Sequence, residues 1–431
     1  MTQASPQRDA PDSQKAAGDQ HAMGEQIMAR IEALAAISES PHGLTRRYLT
    51  PEHRAANDLV ARWMQEAGMA VREDAVGNVI GRYEGRTDGA PAVMIGSHLD
   101  TVADAGKYDG MLGVLSGIAC VDALNTQGRR LDHAVEVIGF ADEEGTRFQS
   151  TYLGSRAVAG TFDKSVLERR DHDGISMAEA MRDFGLDPAR IADAARARSE
   201  ILAYLELHIE QGPVLESEGL AVGVVTAIAG ATRLSVTITG VAGHAGTVPM
   251  PLRNDALTAA AVCVLAVEEL CKAGESLVGT VGQLEVSPGS TNVIPGLVRF
   301  SVDLRAPDNG AREAVVRQVL ARIDAIAGQR GVTTTIETVH EAASVGCAPG
   351  LMDLLARAIE DEGHQAIRLP SGAGHDAAAM ASLADAGMLF VRCRDGISHN
   401  PAESITVADA DAGARVLLRA ITTLRAAETS A

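Results

Sequence analysis

The apolar residues of this chain hold one pattern over its first half, change period in the middle and then return, and that switch constrains the fold more than any other feature. Short apolar runs, Val93-Met94-Ile95 and Val135 to Phe140, flank a helix-like stretch from Leu112 to Leu124. Strands alternating with helices predict an α/β layer with a largely parallel sheet. Ahead of them, Ile27, Ile31 and Leu34, then Leu59 and Trp63, recur at helical spacing on either side of the turn-rich stretch from Pro41 to Pro51, which gives two helices between Gly24 and Ala67. Trp63 reads as core.

A third strand, Tyr204 to Ile209, leads into Glu210-Gln211-Gly212-Pro213, where the chain leaves this layer. Leu234, Val236 and Ile238 then alternate with Ser235, Thr237 and Thr239, as in a half-exposed strand. A helix over Asp255 to Cys271, strands over Leu277 to Val286 and Val298 to Leu304, a helix over Arg312 to Ile326 and a strand over Val332 to Val339 complete a βαββαβ order, the ferredoxin-like unit. After Glu341 the first pattern resumes, with a helix near Leu351 to Glu362 and an apolar run from Gly387 to Val391. The fold class is therefore α/β with an inserted second unit. We expect a disordered tail over 1–23, a discontinuous first domain over 24–213 and 334–431, and the insertion over 214–333.

A chain of 431 residues, 46% hydrophobic, is long enough for two cores. Its 38 Lys and Arg against 57 Asp and Glu give a net charge of -19, which repels phosphate backbones and anionic lipid surfaces and makes nucleic acid or membrane a poor partner. The five cysteines are scattered and form no C-x-x-C pair, so they read as reduced, mostly buried thiols. No secretory leader pattern and no long apolar span is present, so a cytoplasmic protein is expected.

Two clusters at strand ends carry chemistry. In Gly96-Ser97-His98-Leu99-Asp100-Thr101, followed by Tyr108-Asp109-Gly110, His98 can offer an imidazole to a metal, Asp100 can accept the other ring N–H and Asp109 can bridge two cations. A hydrogen-bonded structural histidine fits the same His-x-Asp. In Asp142-Glu143-Glu144-Gly145, three adjacent carboxylates are costly without a cation, and one glutamate could ligate while its neighbour moves protons. A solvated acidic turn fits this triplet as well. Seven histidines outside the motifs, His53 among them, read as ordinary surface or core residues, and Arg46-Arg47, Glu168-Arg169-Arg170 and Arg196-Ala197-Arg198 read as solvated faces.

Four more clusters follow in order: His208-Ile209-Glu210-Gln211-Gly212-Pro213, Gly243-His244-Ala245-Gly246-Thr247, Gly372-Ala373-Gly374-His375-Asp376 and Ser398-His399-Asn400-Pro401-Ala402-Glu403. The ordered set resembles the metal-dependent amidohydrolases of the aminoacylase and carboxypeptidase superfamily. Within it the chain is most similar to the branch of allantoate amidohydrolases, N-carbamoyl-L-amino-acid hydrolases and β-ureidopropionases, and the likeness extends from about Gly24 to Asp409.

The resemblance implies two divalent ions per subunit (Zn²⁺, Mn²⁺ or Co²⁺), with Asp109 bridging, His98 and His208 completing one site, and Glu144 and His399 the other. It makes Glu143 the general base and acid. His208 stands where peptidases of the superfamily carry a carboxylate, which favours the ureido-hydrolysing branch. Gln211, Arg233, His244, Asn292 and Arg305 match positions that hold the substrate or its oxyanion, whereas His375 and Asp376 receive no role. The inserted unit becomes a lid and the surface of a homodimer. The implied substrate is a small ureido carboxylic acid. Allantoate suits Arg233, where carbamoylases of the branch often carry an apolar residue. N-carbamoyl-L-amino acids and N-carbamoyl-β-alanine are the alternatives, a dipeptide or N-acyl amino acid a more distant one. A metal-free binding protein of the same fold is the competing class, and the intact ligand positions and Glu143 argue against it.

Overall fold

The computed structural model describes residues 21–425. Most of the tail expected over 1–23 lies outside them, but Ala22 and Met23 already belong to the first helix, α1 (Ala22–Ala35). The chain divides into two compact units. One runs up to Val224 and resumes over Ala348–Ile367 and from His375 on; the other comprises Val225–Cys347 and Arg368–Gly374.

In the first unit α2 (Pro51–Glu66) starts with proline at its first position and with the Thr50 hydroxyl accepting from the His53 amide, both standard helix starts. Strands β1 (Ala70–Glu73) and β2 (Val79–Tyr83) pair antiparallel, and β3 (Ala92–His98), helix α3 (Met111–Thr126), β4 (Ala134–Phe140) and β5 (Ile201–Ile209) follow. Every residue of β3 and β4 is buried, so the alternation of a half-exposed strand is absent, as expected of parallel strands covered on both faces. Burial extends to Glu136 in β4, which is neutralised by Arg82 at 2.8 Å and Arg196 at 2.7 Å. Arg196 is thus a partly buried counter-ion to Glu136 and not simply part of a solvated face.

Strand β6 (Val222–Ile228) carries the chain into the second unit. There β7 (Gly230–Thr239), β8 (Gly243–His244), α4 (Ala256–Lys272), β9 (Val278–Thr280), β10 (Leu284–Ser287), β11 (Val293–Ile294), β12 (Leu297–Ala306), α5 (Asn309–Arg330) and β13 (Thr333–Ala342) follow. The antiparallel order is β10-β12-β7-β13, with β9 also on β12. Leu234, Val236 and Ile238 turn inward onto Ala259, Ala260, Cys263 and Val267 of α4 and Val315, Val319 and Ile323 of α5. The single strand expected over Leu277 to Val286 is broken in two. At the break the Gln283 amide takes the Ser301 hydroxyl as acceptor and the Gln283 carbonyl receives the Ser301 amide.

The unit boundaries also differ from 214–333. β13 pairs with β7 from Thr333 opposite Thr239 to Ala342 opposite Ala231, so a cut at 333 would strip a strand from its sheet. At the other end Val222 and Val224 are buried in the first unit's core. The first unit then resumes with α6 (Pro349–Asp361), β14 (Ala386–Val391) and α7 (Val407–Thr423). Its strands stand in the order β1-β2-β4-β3-β5-β14, parallel from β4 to β14. Trp63 is half-buried beside this core, with the Arg30 guanidinium 5.6 Å from its ring centre. All five cysteines are buried and none is in a disulfide, and among the described residues no helix is long and apolar enough to cross a membrane.

Candidate metal centre and active site

Parallel strands bring their carboxyl ends to one edge of the sheet, where α/β enzymes place reactive groups. His98 ends β3, His208 is the penultimate residue of β5, Glu143 and Glu144 follow β4, Asp109 precedes α3, and His399 lies in the loop after β14. Asp109 is the centre of the group. Its Oδ1 lies 3.1 Å from His208 Nε2 and 3.6 Å from His98 Nε2, while its Oδ2 lies 3.1 Å from His399 Nε2. His399 Nε2 is also 3.6 Å from Glu144 Oε1. Two sets of donor atoms, His98–Asp109–His208 and Asp109–Glu144–His399, therefore share one carboxylate, each set within 4.8 Å.

Local backbone makes this possible. Gly110 has φ 77°, and a Cβ there would lie 2.5 Å from the His98 ring, so only glycine lets Asp109 approach that imidazole. Gln211 and His399 hold left-handed φ values of 57° and 53°, unusual outside glycine and concentrated at functional sites. Both buried imidazoles direct Nε2 at Asp109 because Nδ1 is engaged behind: His98 Nδ1 lies 2.9 Å from the Asp100 carbonyl and His208 Nδ1 2.9 Å from that of Ile209. The Asp100 side chain differs from expectation. Its Oδ1 is 3.6 Å from His98 Nδ1, and the carboxylate instead accepts the amides of Glu143 (2.9 Å) and Glu144 (3.1 Å). It fixes the glutamate pair, and its carbonyl orients the histidine.

The electrostatics call for cations. Burial first, then repulsion from Glu144, Asp376 and Asp100, holds Glu143 well above the carboxylate range against the pull of His98. Burial likewise pushes Glu144 up to about 7. Asp109 moves the other way: although burial opposes its charge, His208, His399 and His98 hold it well below the ordinary value. A divalent ion would relieve the crowding that raises the glutamates. Three imidazoles with two carboxylates form a donor set suited to Zn²⁺, Mn²⁺ and Co²⁺ alike, so the residues present fit a metal.

Around this group lie residues that motif reading left without a role. His375 packs edge-on against His208 at 4.5 Å and against Phe390 at 5.8 Å. Glu206, His208 and His375 form a further donor cluster, but Glu206 already accepts from Ser97 (3.0 Å), Tyr204 (3.1 Å) and the Ala377 amide (2.8 Å). Arg46, read as part of a solvated pair, is fully buried and donates to the carbonyls of Leu34, Ile37 and Leu99, the last beside His98. No sequence period distinguishes it from Arg47. Glu403, within the His399 motif, accepts the amides of Tyr108 and Asp109.

The five residues expected at the substrate fall into separate groups. Gln211 lies at Asp109: its Nε2 donates to Asp109 Oδ2 at 3.0 Å and to Ser398 Oγ at 3.1 Å. In the second unit His244 and Asn292 are brought together by the β8–β11 pairing and by the Ala245 amide on the Asn292 carbonyl at 2.9 Å. His244 is exposed, its Nδ1 accepting from the Gly246 amide at 3.0 Å. Arg233 and Arg305 share Asp303, Arg233 through Nε at 3.0 Å and Arg305 through Nε and Nη2 at 3.0 Å each. With Gln283, Ser301 and Gly372 these three line a cavity of about 660 Å³ inside the second unit.

Residues 94–423 match peptidase family M20/M25/M40. The chain is 46% identical over 399 residues to an N-carbamoyl-L-amino acid amidohydrolase of Geobacillus stearothermophilus, covering 92% of this chain and 98% of that one. It is 42% identical over 421 residues to an allantoate deiminase of Arabidopsis thaliana, covering 90% and 80%. A solved amidase of the hydantoinase/carbamoylase family from Burkholderia multivorans superposes with a TM-score of 0.88 at 37% identity, covering 93% of this chain and 97% of that structure. The chain is a hydrolase and belongs to peptidase family M20/M25/M40, in the branch formed by the N-carbamoyl-L-amino-acid and allantoate amidohydrolases.

Proposed function

We propose that the protein hydrolyses the ureido C–N bond of allantoate with two divalent ions per subunit, one at His98–Asp109–His208 and one at Asp109–Glu144–His399. The observation that carries the hydrolytic reading is the single buried carboxylate of Asp109 shared between two donor sets of mixed imidazole and carboxylate, with Glu143 buried beside them. When bound, such ions supply Lewis acidity toward a carbonyl and a lowered pKa for water.

The protein's own groups do the rest. Glu143 takes the proton of the attacking water as the water oxygen bonds to the ureido carbon. His244 donates to the developing oxyanion, Asn292 and Arg305 hold the substrate carboxylate, and Gln211 and Arg233 contact the ureido arms. Glu143 then delivers its proton to the departing nitrogen as the C–N bond breaks. The carbamic acid released falls apart into carbon dioxide and ammonia, which drives the reaction forward. In the same reading the second unit serves as lid and as the surface joining two copies in a homodimer.

N-carbamoyl-L-amino acid hydrolysis is the second reading, supported by the name of the 46% identical relative. Arg233 favours allantoate, whose second ureido arm presents acceptors that an apolar side chain lacks. Incubating the metal-loaded protein with allantoate, N-carbamoyl-L-amino acids, N-carbamoyl-β-alanine and a dipeptide, and measuring ammonia and free amine, separates the readings. Turnover of the carbamoyl amino acids without turnover of allantoate replaces the first by the second, and turnover of the dipeptide alone overturns both.

A further inference from the structure

The Asp109–Glu144–His399 group is assembled from segments of unequal rigidity. Asp109 is buried beside the start of α3, whereas His399 stands in a loop, its side chain half-exposed and its φ at 53°. A strained, exposed loop holds a donor atom in place only if something beneath fixes it. Glu403 lies there. A tight turn, with the Glu403 amide on the Asn400 carbonyl and the Ala402 amide on Asn400 Oδ1, folds the chain back so that Glu403 is buried under the loop.

Each oxygen of Glu403 faces one of the two segments. Oε1 accepts the amides of Tyr108 at 2.9 Å and Asp109 at 3.2 Å. Oε2 accepts the hydroxyl of Ser398, the neighbour of His399, at 2.8 Å. Ser398 Oγ in turn receives Gln211 Nε2, which also donates to Asp109 Oδ2. The bonds close a ring that runs from the Asp109 amide through Glu403, Ser398 and Gln211 to the Asp109 carboxylate. The backbone is shaped around this side chain: a Cβ on Gly106 would lie 2.1 Å from Glu403 Cδ and 2.2 Å from Oε1.

We propose that Glu403 is a positioning residue that locks the bridging Asp109 and the His399 loop in register and thereby sets the affinity of the ion held by Asp109, Glu144 and His399. The proposal rests on the two-ion reading above. Glu403 belongs to neither donor set; it acts through the Asp109 amide and Ser398. Outer hydrogen-bond partners of this kind commonly change metal affinity by about 10- to 100-fold.

The test compares wild type with Glu403→Ala, Glu403→Gln and Gly106→Ala, each full-length. Mn²⁺ affinity and stoichiometry are measured by chelator competition, with kcat and KM on the best ureido substrate and melting of the metal-free proteins alongside. Glu403→Ala and Gly106→Ala should each loosen one of two ions by about 10- to 100-fold. Their kcat should fall at limiting Mn²⁺ and recover at excess, with KM little changed. Glu403→Gln keeps a carbonyl oxygen for the two amides and gives Ser398 a donor, so it should restore affinity to within a few fold. Wild-type affinity for both ions in Glu403→Ala and Gly106→Ala overturns the proposal, as does a Glu403→Gln variant no better than Glu403→Ala. A wild type that binds no ion removes the two-ion reading itself, a result distinct from either.

Discussion

Replacing Arg233 by leucine removes a guanidinium whose structural cost can be separated from its contribution to binding. Its side chain is 49% exposed, and its partner Asp303 stays bonded to Arg305 through two contacts of 3.0 Å. An exposed ion pair contributes at most about 1 kcal/mol, so the variant should fold and melt within a few degrees of wild type. The bond to Asp303 engages Nε, which leaves the terminal nitrogens to donate to a substrate. If allantoate is the substrate, as proposed, a charged hydrogen bond to its second ureido arm is worth roughly 1.5–3 kcal/mol, and its loss should lower kcat/KM by about ten- to a hundredfold. An N-carbamoyl amino acid with an apolar side chain makes no such bond, so its kcat/KM should be unchanged or higher. Initial rates of ammonia release from allantoate and of amino acid release from N-carbamoyl-L-leucine measure the two effects. Equal losses on both substrates would refute the reasoning, as would a native enzyme that ignores allantoate while cleaving the carbamoyl amino acid.

Glu143→Gln should retain both ions in elemental analysis yet lose about 10² to 10⁴ in kcat, the usual worth of a positioned acid and base; near-normal turnover would dismiss Glu143 as the proton carrier. In His208→Ala the pattern inverts, with one ion weakened and its occupancy reduced, and full two-ion content would show that His208 is no ligand. Away from the site, burial lowers His53 from 6.5 to about 3, so the folded state stays neutral while the unfolded state takes up a proton below pH 6.5. Stability therefore rises with pH between about 3 and 6.5, and at pH 5 the histidine should cost about 2 kcal/mol relative to pH 7. Urea titrations of His53→Gln should have a shallower acid slope by about one proton, and an unchanged slope would count against this account.

The layered α/β plan and the order of elements in the second unit were legible because hydrophobic period is a property of near neighbours. Covered strands read as apolar runs in Val93 to Ile95, and half-covered ones alternate from Leu234 to Thr239. The first candidate ligands stood out for a similar reason: His98, Asp109 and the Glu143-Glu144 pair sit in short motifs at or beyond a strand end, whereas His208 and His399 came into the set only through the family resemblance. Their convergence on Asp109 follows from parallel strand order. Polar burial was not legible. Arg46 and Arg47 are chemically alike and adjacent, yet Arg46 is buried because Leu34, Ile37 and Leu99 turn their carbonyls toward it. Arg196 is drawn partly inward by Glu136, 60 residues away on β4. Glu403 finds the amide of Tyr108 across 295 residues. Sequence alone determined which segments are strands, which are helices and where carboxylates crowd. Only the tertiary structure decided which charges are buried and paired, because the cost of burying a charge depends on groups that chain folding, not chain proximity, brings within hydrogen-bond reach.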